Sequence, residues 1–186
     1  MSRAFVILLS LLAAALVISG CSSDPRQEAD GAIERANEHI SAHDELYDEA
    51  RAAYEEARSS LQEENGETTA QAQSISEARR EMQEARSELQ RAREEISSVR
   101  DLEVSGELQE YARTLDGALE AQITAEQREI EFYEIAAEDP ALEDNRERAI
   151  GVLAEAENAY QEAEDGYERA AEAGDSNPQM AAPRSE

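Results

Sequence analysis

The sequence predicts an all-α protein: an elongated antiparallel up-down-up-down four-helix bundle with coiled-coil-like, alanine-rich seams. Three observations lead there. Apolar residues recur at alternating steps of four and three over long stretches, which is a heptad seam. Along those seams large residues alternate with alanines. Glycine, proline and asparagine punctuate the chain at three internal points, leaving four segments of similar length. High charge with few aromatics is also a disordered composition. Sustained periodicity and the dominance of Glu, Arg, Ala, Gln and Leu favour long helices instead.

The first helix is expected over 28–64, on the seam Ala29, Ile33, Ala36, Ile40, His43, Tyr47, Ala50, Tyr54, Ala57 and Leu61. His43 occupies a slot that alanine takes elsewhere. Asn65-Gly66 can close this helix in the left-handed conformation. Thr68-Thr69-Ala70-Gln71 then fits a capping box, and the second helix is expected over 68–103. Its large set is Ile75, Met82, Leu89 and Ile96; its small set is Ala78, Ala85, Ala92 and Val99. Val104-Ser105-Gly106 separates it from a third helix over 106–138, whose seam drifts near Gln122 and Glu126. The fourth is expected over 140–173, with Asp139-Pro140 as N-cap and first residue and Asp144-Asn145-Arg146-Glu147 as a rival start. It sets Leu153, Tyr160 and Tyr167 against Ala149, Ala156, Ala163 and Ala170. Residues 28–174 thus form the bundle, and 175–186 read as a disordered tail.

Each helix is about 50 Å long at 1.5 Å per residue. An antiparallel match of the first and fourth seams sets Ile33 against Tyr167, Ile40 against Tyr160 and Tyr47 against Leu153. Charge adds a constraint. Residues 24–66 carry four Arg against thirteen Asp and Glu, and residues 139–174 carry three against eleven. Residues 67–104 carry six against nine, so the second helix is the least repulsive neighbour. Its arginines, Arg79, Arg80, Arg86, Arg91, Arg93 and Arg100, can face acidic helices on either side.

The N-terminus has a different plan. Arg3 precedes an apolar run from Ala4 to Ile18, and small residues then lead to Cys21, the one cysteine. Residues 1–20 have the layout of a signal peptide, and the run is short for a membrane span. Ile18-Ser19-Gly20-Cys21 resembles the lipobox of bacterial lipoprotein precursors. The resemblance covers about the first 23 residues. It implies cleavage after Gly20, a thioether-linked diacylglyceride on Cys21 and acylation of the new amine. Residues 21–27 become the lipidated cysteine and a tether. The implied location is the cell membrane or outer membrane, facing the periplasm or the exterior. Ser22, rather than Asp, after the cysteine implies outer-membrane sorting where an outer membrane exists. Two acyl chains suffice for stable anchoring, at about 0.8 kcal/mol per buried CH₂.

Composition excludes several functions. From Cys21 onward, 16 Arg and no Lys stand against 44 Asp and Glu, a side-chain charge of −28. Nucleic acid and anionic membrane surfaces are repelled; cationic partners and divalent ions are attracted. No glycine-rich phosphate loop and no Ser–His–Asp pattern appears. His39 and His43 stand one turn apart, the spacing of a helical metal pair. HISAH lacks the glutamate of HExxH, and the Glu-x-x-His of di-iron bundles is missing. The expectation for His43 is a polar seam position that sets register, with His39 at its flank. No metal or other cofactor is expected. Tyr111 and the pair Phe132–Tyr133 fit their seam less cleanly and would mark a partner surface if exposed. The expected function is that of a lipid-anchored, non-catalytic module that binds or scaffolds another envelope protein. The alternative is a cation- or ligand-binding lipoprotein that uses its acidic faces or His39 and His43.

Overall fold

The computed structural model describes residues 24–61 and 68–175. The signal segment, Cys21, residues 62–64 of the expected first helix and the tail from 176 onward lie outside them. The described residues form four helices: α1 (Pro25–Leu61), α2 (Thr68–Val99), α3 (Gly106–Glu138) and α4 (Arg146–Asp175). Among the described residues there is no strand.

Four helix boundaries differ from expectation: α4 runs on to Asp175, the first residue of the expected tail, and the other three have local reasons. α1 starts at Pro25, inside the expected tether. Asp24 caps it, its Oδ1 accepting the Arg26 N–H at 3.0 Å, and a proline at the first helical position lacks only an N–H that would go unpaired anyway. α2 stops at Val99 rather than 103. Arg100, Asp101 and Leu102 instead donate to carbonyls three residues back, tightening the final turn. α4 starts at Arg146, the rival start, because Asp139 does other work. Its backbone ends α3, and its carboxylate accepts the backbone N–H groups of Glu143, Asp144 and Asn145 at 2.9 to 3.1 Å. The connection thereby held passes through Leu142 at φ 51°, a left-handed conformation unusual for leucine. Ser105 caps α3 as the loop signal suggests, accepting the Leu108 N–H at 3.3 Å.

The helices run antiparallel in sequence. Arg35 of α1 meets Glu95 of α2, Arg93 of α2 meets Asp116 of α3, and Arg128 of α3 meets Glu155 of α4. Close backbone packing joins α1 to α2, α2 to α3 and α3 to α4. Among the described residues, no Cα pair of α1 and α4 comes within 8 Å. The two most acidic segments are thus the pair held apart, in keeping with their mutual repulsion. They touch through side chains: the Tyr47 and Tyr160 rings meet edge to face, 6.4 Å between centroids. The expected register is therefore off by one heptad. Tyr47 meets Tyr160 rather than Leu153, and Leu153 is 40% exposed.

α3 is the central helix, packed between α2 and α4 and touched by α1 side chains. Consequently Tyr111, Phe132 and Tyr133 are buried and are not a partner surface. α4 lies so close to α3 that a Cβ on Gly166 would stand 2.8 Å from the Cβ of Ala118 and 3.0 Å from its Cα. Arg79 and Arg93 of α2, and Arg100 just past its end, reach acids on α3, whereas Arg80 and Arg91 pair within their own helix. Toward α1 the expected polarity is reversed: Arg35 and His39 of α1 meet Glu95 and Glu88 of α2.

The apolar interior has two blocks. One gathers Ile33, Leu89, Ile96, Leu108, Tyr111 and Leu119 near the α2–α3 turn. The other gathers Ile75, Met82, Ile130, Phe132, Tyr133 and Ile135 toward the opposite end. Each fully buried Ile, Leu or Met contributes about 1.5–3 kcal/mol. Between the blocks lies a layer of polar side chains.

Candidate functional site

The polar layer explains the drift in the third seam. His43 of α1 is 2% exposed and Glu126 of α3 is 0% exposed. His43 Nε2 lies 2.7 Å from Glu126 Oε1, and Nδ1 lies 2.9 Å from Asp44 Oδ1. Gln122, one turn before Glu126, donates from Nε2 to Glu126 Oε1 at 3.1 Å. Its Oε1 accepts the Tyr167 hydroxyl of α4 at 2.5 Å. Three helices are thus stitched by one chain of polar groups: Asp44, His43, Glu126, Gln122 and Tyr167.

A second strand of the layer centres on Glu129. Its carboxylate accepts the Tyr160 hydroxyl at 2.6 Å and the Tyr133 hydroxyl at 3.0 Å. Tyr47 stacks on His43 with 5.5 Å between ring centroids, and its hydroxyl accepts from Arg51 at 3.0 Å.

The electrostatics follow from this geometry. Burial opposes a charge on His43, but the carboxylates of Asp44 and Glu126 outweigh it and raise the imidazole pKa to about 9. At neutral pH the ring is a cation donating from both nitrogens, one to each carboxylate. Burial, with the nearby Glu129 carboxylate, pushes the Tyr133 and Tyr160 hydroxyls above the usual phenol range. Burial, with Glu126 and Asp44, does the same for Tyr167. All three therefore stay protonated and act as donors. One buried acceptor in the layer, Glu126 Oε2, has no hydrogen-bond partner.

His39 points elsewhere. Its Nδ1 lies 2.7 Å from Glu88 Oε2 of α2, so the two histidines serve different helices and do not converge on one point. Among the described residues no group of three or more His, Cys, Asp and Glu is placed to hold a metal ion. The lipidation candidate Cys21 lies outside the described residues.

Two separate depressions open beside the polar layer, one on α1 and one where α3 meets α4. On α1 a depression of about 360 Å³ is lined by Asp30, Ile33, Glu34, Asn37, Glu38 and Ser41, the flank turned away from α2. Near α4 a second, of about 410 Å³, is lined by Gln122, Tyr160, Ala163, Glu164, Tyr167 and Glu168. Farther along α4, Ile150 is 58% exposed and Leu153 40% exposed. Both lie on the flank of α4 that also carries Tyr160 and Tyr167. No described helix is long and apolar enough to cross a membrane.

Sequence reasoning placed His43 in the interior and marked Gln122 and Glu126 as breaks in their seam. That those breaks face His43 is visible only in the fold. Glu129 and Asp116 were missed. Asp116 is buried, its carboxylate held by Arg93, Arg100 and Ser97 at 2.9 to 3.1 Å. Its apolar surroundings in the sequence, between Leu115 and Ala118, were the available signal. Comparison with protein-family models, with curated proteins and with solved structures gives no match.

Proposed function

We propose that the chain is a lipid-anchored, non-catalytic binding or scaffolding module of a bacterial cell envelope, held at the membrane or outer membrane by lipid on Cys21. The observation that carries the binding role is the α4 flank. A heptad-spaced row of large side chains, Leu153, Tyr160 and Tyr167, is left partly uncovered on an otherwise close-packed bundle. The buried polar groups favour architecture over chemistry, since His43, Gln122, Glu126 and Glu129 are engaged with one another and with tyrosines. The anchor rests on the lipobox-like Ile18-Ser19-Gly20-Cys21.

The anchor is tested by fractionation and mass spectrometry. Cys21→Ala should move the protein from the membrane to the soluble fraction, and the wild-type N-terminal peptide should carry acyl mass. Unchanged membrane retention would refute the anchor. The binding role is tested by crosslinking in the native envelope from positions spread over the surface. A specific adduct at one face supports it, and none at any face refutes it.

The second reading, a cation- or ligand-binding lipoprotein, is favoured by one atom, the unpartnered buried Glu126 Oε2. Calorimetric titration with zinc or nickel decides it: a tight one-to-one complex lost in His43→Ala would establish this reading instead.

A further inference from the structure

We propose that the exposed flank of α4 is the docking site for a cationic amphipathic helix of a partner protein, which lies along it as a fifth helix of the bundle. The proposal rests on the binding-module reading above and adds where the partner sits and what its surface carries.

Spacing is the first argument. Leu153, Tyr160 and Tyr167 recur every seven residues, the repeat by which one helix receives the seam of another. Their burial stops halfway because α1 stands off from α4, and Ile150 beside them is more exposed still. From Ile150 to Glu168 the row is about 27 Å long, room for five turns of a docked helix.

Charge is the second argument, and it selects the occupant. The depression on this flank is lined by Glu164 and Glu168, with no basic residue in it. Glu164 and Glu168 enter no ion pair among the described residues, while Arg79, Arg93 and Arg100 are drawn to the α2–α3 side. The partly exposed edges of Tyr160 and Tyr167 stand beside the Glu164 and Glu168 carboxylates. That pairing suits a guanidinium or ammonium group, attracted both by an aromatic ring and by a carboxylate. A second copy of this chain would bring −28 of its own to an acidic flank. The segment 176–186 has one arginine and two prolines, and as a helix would cover only about 17 Å. A cationic helix from another protein meets both the apolar row and the unpaired acids.

The probe is a labelled synthetic helix of about 28 residues with leucine and alanine on its seam and Lys and Arg elsewhere. Its control keeps the seam and replaces the cations by Glu. Both are titrated into the full chain in neutral detergent, with binding read by fluorescence anisotropy. The cationic helix should saturate at one to one, and the control should bind at least about thirtyfold more weakly. Leu153→Asp and Ile150→Asp change exposed side chains, so circular dichroism should show an intact fold. Each should weaken binding about tenfold. Glu164→Lys combined with Glu168→Lys should reverse the preference toward the acidic control.

Binding of the cationic helix that ignores both sets of substitutions would overturn the proposal. So would a sedimenting dimer lost in Leu153→Asp, which would make a second copy the occupant. A tenfold gain in binding on deleting 176–186 would make the tail the occupant and would likewise overturn it. The two levels separate cleanly. If envelope crosslinking finds a specific partner and that adduct survives Leu153→Asp, the α4-flank assignment fails and the binding-module reading stands. If no face yields an adduct, the reading fails.

Discussion

α2 and α4 are written by the same rule and packed differently. In both, a large residue every seven positions alternates with an alanine-sized one. α2 buries both sets completely: Ile75, Met82, Leu89 and Ile96 as well as Ala78, Ala85, Ala92 and Val99. Of the matching positions in α4, only Ala149, Ala156, Ala163 and Ala170 are buried, while Tyr160 and Tyr167 are partly exposed and Leu153 is exposed. The cause is the number of close neighbours. α2 packs tightly against α1 on one side and α3 on the other, whereas α4 packs tightly only against α3. Small residues mark where backbones approach; large ones are buried only where a second helix covers them.

The sharpest break between the two helices is a truncation. Leu89→Ala in α2 should cost about 3–5 kcal/mol, the range for opening a cavity in a tight core. Leu153→Ala in α4 should cost less than about 1 kcal/mol, because its side chain is already partly in water. Chemical denaturation of the two variants measures both. Equal losses would mean that α4 is covered as fully as α2.

The polar layer between the apolar blocks should make stability depend on pH. His43 has a folded pKa of about 9, above its unfolded value of roughly 6.5. Its contribution is therefore fully present below pH about 6.5 and is lost as pH rises through about 9. The shift corresponds to at most about 3 kcal/mol, as an order of magnitude. Urea midpoints should fall across that window in the wild type and stay flat in His43→Leu.

Gly166→Ala sharpens the comparison from the other side. By helix propensity alone alanine should stabilise α4 by about 1 kcal/mol. Its Cβ would instead meet Ala118 at 2.8 Å. Overpacking of this kind costs about 1–3 kcal/mol, so the net change should be destabilising, and thermal melts report its sign. Gly151 is the control, since a Cβ there meets nothing within 4 Å and Gly151→Ala should stabilise. The smallest effect belongs to Arg80, an exposed side chain whose acid partners all lie on its own helix. Arg80→Ala should change stability by no more than about 0.5 kcal/mol.

Much of the fold was legible because heptads are a one-dimensional code. The number of helices, the alanine lines and the interior place of His43 all follow from spacing. What the code lacks is the count of neighbours around each helix. A seam describes one buried face, so Tyr111, Phe132 and Tyr133 looked misplaced, although α3 is covered on several sides and buries them. The same gap displaced Tyr47 by one heptad against α4. In the α3–α4 connection Asp139 was correctly read as an acceptor for backbone N–H groups, but those groups belong to the loop rather than to a helix starting at Pro140. Among 44 acids, nothing local sets Glu129 apart as the one that will hold two tyrosines.

Two greasy compartments separated by a charged waist need not come apart together. Ile33, Leu89 and Leu119 secure one half of the rod, and Met82, Ile130 and Phe132 the other. The waist between them is held by hydrogen bonds of His43 to Glu126 and Asp44, and the ring that makes them titrates. Amide exchange should therefore sort the backbone into two protected blocks, whose release becomes independent once the imidazole loses its proton.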